Sequence, residues 1–327
     1  MCIICDGNIL EGLEKINVCE NVTEIPYLPQ SLVSLYCYDC PLLQSIPELP
    51  QSLKSIECHM CSYLQCFPEL PQSLESFICD ASIQIQSLPK LPQLLTVIDC
   101  RNCPLLQYIP DLPQSLTRIF CSYCLLLTTL PELPQSLTQL DCHNCPSLQY
   151  LPELPQSLVY LSCYDCPLLT TLPELPQSLK IFYCSNCPLL TTLPELPQSL
   201  VHLNCFNCQL LTTLPELPQS LKIFYCSNCP LLTTLPKLPQ SLEVLDCSNC
   251  VNLIFIPESA VRYNISSDLL ETINSNYLKW RKEQTLYWFS SKYGLLYEDL
   301  IRRTWHPDRV VDWCWDTEEV KWFKSLQ

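Results

Sequence analysis

The sixteen residues LPQSLKIFYCSNCPLL at positions 175–190 recur without a change at positions 217–232. The Leu-Pro-Gln triplet that opens them occurs eleven times between Leu28 and Gln240, and the interval from Leu28 to Leu49 is kept between all successive copies. A period this strict predicts one supersecondary unit that stacks on copies of itself. The thirty prolines support this prediction, because proline removes an amide donor and must lie at bends instead of inside helices or central strands.

Each unit is predicted to contain one short strand and one extended return segment. In the copy that starts at Leu137, Leu140 and Cys142 alternate with Gln139 and Asp141, which is the period-two pattern of a strand with one buried face. Eleven strands about 4.8 Å apart would form a parallel sheet about 50 Å long. The proline-rich half predicts extended or polyproline II backbone on the opposite, convex side.

The unit Leu-x-x-Leu-x-Cys-x-x-Cys-x-x-Leu resembles the leucine-rich repeat. Its LPELP half resembles the short bacterial subtype found in effector proteins of Yersinia and Shigella. The resemblance implies an α/β repeat solenoid, a leucine-rich repeat horseshoe with a parallel β-sheet on its concave face. For activity it implies nothing specific, because one fold carries many functions.

The repeat divides the chain into three parts. Residues 1–31 are interpreted as a degenerate N-terminal cap, because only some repeat positions, such as Ile16 and Val22, keep the register there. Residues 32–258 form an array of about eleven repeat units of constant length. Residues 259–327 are predicted to be a small helical C-terminal module or cap, since Pro307 is the only proline after Ser266 and a helical apolar stripe follows Ser267.

Ten Cys-x-x-Cys pairs lie in register, from Cys37 and Cys40 to Cys247 and Cys250, and in one further copy Ser82 stands in the second place. The spacing alone suits zinc or redox sites. The register favours a buried ladder of reduced thiols, because both cysteines fall on inward positions of the repeat. Equivalent cysteines of neighbouring units would be near enough for disulfides to form on oxidation. We therefore expect no metal and no cofactor.

The charge narrows the possible partners. Residues 1–250 carry 22 acidic residues against 8 Lys or Arg, which disfavours nucleic acid. The sequence lacks a long apolar run and a basic leader, so we expect no membrane contact and an intracellular location in a host cytoplasm. The acidic column between the two prolines is expected to keep the solenoid monomeric. No phosphate-binding loop, zinc-protease helix or catalytic triad is recognisable, which predicts a protein that is not an enzyme.

The outward strand positions vary most between copies and form the predicted binding surface. Their aromatic residues predict anchors for a protein partner, although aromatic side chains also pack across neighbouring strands. His59, His143 and His202 are interpreted as exposed polar residues on the same face, and the column from Gln30 to Gln240 is predicted to form a ladder of stacked amides. The predicted partner-binding residues are Tyr36, Tyr38, Phe120, Tyr160, Tyr164, Tyr183, Phe206 and Tyr225.

The C-terminal part carries two motifs that indicate an alternative. His306-Pro307-Asp308 resembles the tripeptide of J-domain cochaperones, and Cys314-Trp315-Asp316 resembles the Cys-x-Asp of bacterial effector ubiquitin ligases. The tail lacks the usual first-helix pattern of the former and is several times shorter than the catalytic domain of the latter. The cysteine-bearing repeats and the WHPDRVVDWC ending are together similar to leucine-rich-repeat proteins of giant amoebal viruses of the mimivirus group.

The leading hypothesis is a non-enzymatic scaffold that binds an intracellular, host protein on its concave face. The alternative is a repeat-based substrate reader with an effector tail, either a J-like cochaperone or a ubiquitin ligase.

Overall fold

Twelve short strands form one parallel sheet in which the strands follow each other in chain order. The computed structural model describes residues 11–254 together with residues 275, 276 and 279. The strands are β1 (Lys15–Val18), β2 (Ser34–Tyr38), β3 (Ser55–His59), β4 (Ser76–Ile78), β5 (Val97–Asp99), β6 (Arg118–Phe120), β7 (Gln139–Asp141), β8 (Tyr160–Ser162), β9 (Ile181–Tyr183), β10 (His202–Asn204), β11 (Ile223–Tyr225) and β12 (Val244–Asp246). The predicted parallel solenoid is confirmed.

The register places equivalent residues of successive units side by side. His202 pairs with Ile181 on one side and with Ile223 on the other, an offset of one repeat each way. The first pair of strands differs, because Lys15 pairs with Ser34 and the offset there is shorter than one repeat. We call each turn of the solenoid a rung; the offset means that a side chain lies beside its counterpart from the next rung.

The consensus apolar residues fill the interior of each rung. Leu137, Leu140, Cys142, Cys145 and Leu148 are all 0% exposed. They belong to one cluster that extends from Ile16 to Leu253. A single rung has no interior of its own, so burial depends on the rungs above and below.

Two backbone turns flank each strand. The amide of Leu137 donates to the carbonyl of Pro134 (3.1 Å), and the amide of Leu148 donates to the carbonyl of Cys145 (3.1 Å). The proline-rich halves contain no helix within residues 11–254 and contact each other through bonds such as the bridge between Glu24 and Ser45. Polyproline II geometry on the convex side stays a prediction.

Serine, not glutamine, connects the rungs at the first turn. Ser136 Oγ donates to the carbonyls of Gln114 and Leu116, each at 2.7 Å, and equivalent serines repeat this bond along the array. The glutamines are exposed, and within the described rungs one of their side chains accepts a bond, Gln156 Oε1 from the backbone amide of Gln177 (3.3 Å). The predicted ladder of stacked amides is therefore wrong: the serine hydroxyls connect the rungs, and the glutamine side chains extend into water.

The cysteines form two buried columns, as predicted. After the first pair, the thiol of the second cysteine donates to the carbonyl of the first cysteine one rung earlier, as in Cys145 Sγ to Cys121 O (3.2 Å) and Cys166 Sγ to Cys142 O (3.4 Å). In the first pair, Cys40 Sγ donates to Val18 O instead (3.5 Å). No disulfide joins the cysteines that the structure describes. Burial raises the pKa of Cys142 well above its ordinary value and that of Cys166 to about 12, so these thiols stay protonated at neutral pH.

A left-handed residue precedes the second cysteine in the rungs from β2 to β12, except that in the β4 rung it precedes Ser82, which stands in place of that cysteine. The φ angles run from 50° at Asp39 to 59° at Tyr123. Asparagine or aspartate fills most of the eleven positions and tolerates this region. Met60, Ala81 and Tyr123 occupy the same conformation, which is unfavourable for their side chains by about 1 kcal/mol each.

The carbonyls that end the array contact a residue from the C-terminal part. Asn276 Nδ2 donates to the carbonyl of Val251 (2.7 Å) and of Leu253 (3.2 Å). Ser275, Asn276 and Lys279 are helical. The remaining residues of the predicted helical module lie outside the described residues.

The left-handed column leads to a first prediction. Met60 is 52% exposed, and Met60→Asn replaces it by a residue type that tolerates the left-handed backbone at this position. The substitution should therefore raise the free energy of unfolding by about 1 kcal/mol. The reverse exchange, Asn102→Met at φ 53°, should lower it by a similar amount. Urea unfolding monitored by circular dichroism checks both, and equal shifts in the same direction would contradict the explanation.

The thiol column leads to a second prediction. Ser82 Oγ is buried without a hydrogen-bond partner, because the shorter serine side chain does not reach the carbonyl that a thiol would reach. Ser82→Cys should therefore raise the free energy of unfolding by about 1 kcal/mol. Cys145→Ser should lower it, since it removes the bond to Cys121 O. Unfolding curves in reducing buffer check both variants. The explanation is contradicted if Ser82→Cys leaves the free energy of unfolding unchanged although Cys145→Ser lowers it.

Candidate functional site

The sheet face consists of residues 34, 36 and 38 and their equivalents in each later repeat, up to 244, 246 and 248. Side chains alternate along a strand, and Leu140 and Cys142 are buried. Gln139, Asp141 and His143 therefore point outward and are only partly buried. The buried positions repeat the same residue types from rung to rung, so the sheet face is where one rung differs chemically from the next.

All eight predicted partner-binding residues lie on the sheet face, but they are less exposed than predicted. Tyr38 is 50% exposed. Strands only about 4.8 Å apart force large rings to lean on their neighbours, which covers part of each ring. The remaining predicted residues are partly buried, namely Tyr36, Phe120, Tyr160, Tyr164, Tyr183, Phe206 and Tyr225.

Four rings form a continuous row across β8–β11, which we call the tyrosine row: Tyr160, Tyr183, His202 and Tyr225. The centroids of Tyr160 and Tyr183 are 5.9 Å apart at 88°, and those of Tyr183 and His202 are 4.9 Å apart at 86°. The Tyr183 hydroxyl lies 3.2 Å from His202 Nδ1. His202 continues to Tyr225 at 5.9 Å. These edge-to-face contacts hold the rings in place.

Two predicted aromatic residues from the same part of the sheet, Tyr164 and Phe206, do not join this row. Tyr164 stacks on His143 at 4.3 Å, and His143 also meets the edge of Tyr123. Tyr123 was not predicted, because it lies at the left-handed position and not in a strand. Phe206 makes no aromatic ring contact within the described rungs. The order of the repeats in the sequence does not show which of these rings contact each other.

A second group of rings occupies β2 and β3. Tyr36 and Tyr38 are stacked with centroids 6.0 Å apart, and Tyr38 stacks on His59 at 4.6 Å. The Tyr38 hydroxyl donates to the Glu57 carboxylate, while His59 pairs with Asp80 and lies 3.7 Å from Glu57. Carboxylates thus border the aromatic rings at this end of the sheet.

The remaining predicted aromatic residue is engaged within the chain. The Arg101 guanidinium lies 5.6 Å from the centre of the Phe120 ring. It also pairs with Asp99, with Nη2 2.6 Å from Oδ2. A partner that used Phe120 would have to share it with Arg101.

The three histidines of the array are not simple exposed polar residues, so that interpretation is wrong. The side chains of His59 and His143 are 23% and 12% exposed. Each stacks on a tyrosine, and each pairs with an aspartate, Asp80 and Asp141 respectively. The tight strand spacing turns isolated polar positions into ring stacks.

Three groups of the tyrosine row, Tyr160, Tyr183 and His202, are neutral at physiological pH. Burial raises the pKa of Tyr160 and of Tyr183 and lowers the pKa of His202. At the other end of the face, the hydrogen bond to Glu57 raises the pKa of Tyr38 to about 12. Tyr160 and Tyr183 therefore offer protonated hydroxyl groups and apolar rings.

The described part of the chain offers no cluster of three or more His, Cys, Asp or Glu side chains that could hold a metal ion. Of the residues that the structure describes, none belongs to a helix with the length and hydropathy that a membrane crossing requires. The motifs at Cys314-Trp315-Asp316 and His306-Pro307-Asp308 lie outside the described residues.

Comparisons with known proteins agree with this geometry. The sequence profile of the Leucine Rich Repeat family matches residues 178–200. No curated protein sequence matches the chain. Among solved structures, the chain is similar to YopM from Yersinia enterocolitica WA-314, with 27% identity and a TM-score of 0.52 over 71% of this chain and 54% of that one. The chain thus spans about half the length of that relative.

Two further solved structures are similar to the chain at lower TM-scores. YopM from Yersinia pestis, described as a leucine-rich effector protein, is 26% identical with a TM-score of 0.39 over 75% of this chain and 90% of that one. A leucine-rich repeat protein from Bacteroides ovatus ATCC 8483 is 22% identical with a TM-score of 0.48 over 74% and 77% of the two chains. The parallel rungs, the repeat profile over residues 178–200 and the similarity to YopM from Yersinia enterocolitica show that the chain contains repeats of the leucine-rich type.

Proposed function

We propose that the protein is a non-enzymatic scaffold that binds an intracellular protein of a host on the sheet face, which is the concave face in the leucine-rich repeat geometry. In this proposal residues 1–31 and 259–327 act as caps, and residues 32–258 form the binding array. The tyrosine row is the observation that carries the proposal. The similarity to YopM from Yersinia enterocolitica supports it.

The tyrosine row has the properties of an interface anchor. Its rings are partly exposed, and ring-to-ring contacts already hold them. A partner that binds them has little side-chain entropy to remove, which favours affinity. Each tyrosine also combines an apolar ring with a hydroxyl donor, the combination that is enriched in protein interfaces.

The fold accepts small side chains at the positions of the tyrosine row. Serine occupies the position of Tyr160 in three other rungs, at Ser34, Ser55 and Ser76, and it occupies the position of Tyr183 at Ser162. The fold therefore does not need tyrosine at these places. A ring that the fold does not need, on a face that the core does not use, is available for binding.

The test replaces Tyr160, Tyr183 and Tyr225 together by serine. We expect this variant to lose the partner that the intact protein captures from host lysate, with a loss of affinity of at least about a hundredfold for the purified partner, because each anchor contributes about 1–2 kcal/mol. A control variant replaces Tyr63, Tyr108 and Tyr150, which are exposed on the other side of the rungs, by serine.

The control should bind as the intact protein does, and both variants should unfold at the same temperature as the intact protein to within a few degrees. The purified partner should also protect the tyrosine row from hydroxyl-radical labelling. Equal binding by both variants would remove the sheet face as the site.

A further inference from the structure

The N-terminal end of the sheet face differs in charge from the rest of the array. We define the rims of the sheet face as the two residues before and the two residues after each strand. Across β1–β4, the sheet face and its rims carry six carboxylates against two lysines, a net charge of −4 with histidine neutral. Lys54 is already paired with Glu75 at 2.9 Å. The carboxylates are Glu14, Glu20, Asp39, Glu57, Glu75 and Asp80.

One exposed ring stands in the middle of these carboxylates. Tyr38 is half exposed, and its ring is nearly parallel to those of Tyr36 and His59, at 15° and 6°. Its hydroxyl is bound to Glu57, which holds the ring upright. His59 and Tyr36 cover part of the Tyr38 ring, and on the part that stays exposed a flat cation can stack and pair with a carboxylate at the same time.

Asp39 supplies the free carboxylate. It is exposed, it follows Tyr38 directly, and its left-handed backbone (φ 50°) places it at the rim of the sheet face. Glu57 and Asp80 are occupied by Tyr38 and His59. No such partner of the Asp39 side chain occurs among the rungs that the structure describes.

The array contains a natural comparison. The sequence CYDCPLL occurs at Cys37–Leu43 and again at Cys163–Leu169, six rungs later. The second tyrosine, Tyr164, stacks on His143 as Tyr38 stacks on His59, but it is less exposed than Tyr38. Of the carboxylates near it, Asp141 is paired with His143 and Asp165 is the equivalent of Asp39. The dipeptide is the same, but its ring is less accessible.

We propose that the N-terminal end of the sheet face, formed by Tyr36, Tyr38, Asp39, Glu57, His59 and Asp80, binds an arginine-containing extended segment of the partner protein. The guanidinium stacks on the Tyr38 ring and donates to the Asp39 carboxylate, and the surrounding negative charge attracts further basic residues. This inference rests on the proposed function and adds the chemistry of the partner. Arginine fits better than lysine, because its planar group can stack and pair at once.

The test measures binding of a labelled peptide, in which arginine alternates with serine, to the full chain by fluorescence anisotropy at mildly alkaline pH. We expect the arginine peptide to bind and the equivalent glutamate peptide not to bind. Asp39→Asn should weaken binding about tenfold, because it removes a charge-assisted pair. Tyr38→Ser should weaken binding about fivefold, because it removes the ring under the cation.

Both substitutions use residues that the fold accepts at equivalent positions, since asparagine stands at 102 and serine at 122. Asp165→Asn and Tyr164→Ser are matched controls, because they make the same chemical changes six rungs away. They should leave the affinity for the peptide unchanged. Thermal unfolding of all four variants checks that each one is folded.

Three results would overturn the inference: no binding of the arginine peptide, an equal loss in the matched controls, or equal binding of a lysine peptide. An equal loss would indicate diffuse attraction by the acidic chain. The proposed function has a separate test, because the tyrosine row can still capture a partner that lacks a basic segment.

Discussion

The spacing of about 4.8 Å between parallel strands governs the rest of the structure. Each rung is hydrogen-bonded to the next in a fixed register, so every side chain lies beside its own counterpart. Any residue that the repeat contains must therefore tolerate a neighbour of its own type on both sides. Leucine meets this condition because neighbouring leucine side chains are buried together and attract each other by dispersion. Charged residues meet it only where they stay in contact with water.

The cysteine columns are one solution to this condition. A thiol is small and apolar enough to stack in the core, and it can still donate a weak hydrogen bond. Cys145 uses that bond to satisfy the carbonyl of Cys121 in the rung before. The serine column at the first turn follows the same principle, with Ser136 bonded to Gln114 and Leu116. In successive rungs, thiol and hydroxyl groups thus donate hydrogen bonds to backbone carbonyls that a tight turn leaves unpaired.

The same spacing shapes the sheet face. Rings as large as tyrosine cannot lie flat at such short intervals, so they stack or meet edge to face, and histidines become part of these stacks. The outcome differs between the two ends of the face. At the β8–β11 end the rings contact mainly each other, whereas at the β2–β3 end they contact carboxylates and one ring stays open. A uniform scaffold therefore presents two chemically different surfaces.

Much of this could be predicted from the sequence, because period and alternation depend on local geometry alone. The constant interval of the Leu-Pro-Gln triplet, the alternation around Leu140 and the position of Cys142 were sufficient to predict a parallel solenoid, its core and the residues of its outward face. Other features depend on contacts between rungs, which a single repeat does not contain. Only the tertiary structure decided that serine and not glutamine bonds across the turn, that Asp39 belongs to a left-handed column, and that Tyr38 is half exposed while Tyr164, in an identical heptapeptide, is partly buried. The reason is physical: exposure and pairing on this face are set by side chains one full repeat away in the chain and about 4.8 Å away in space.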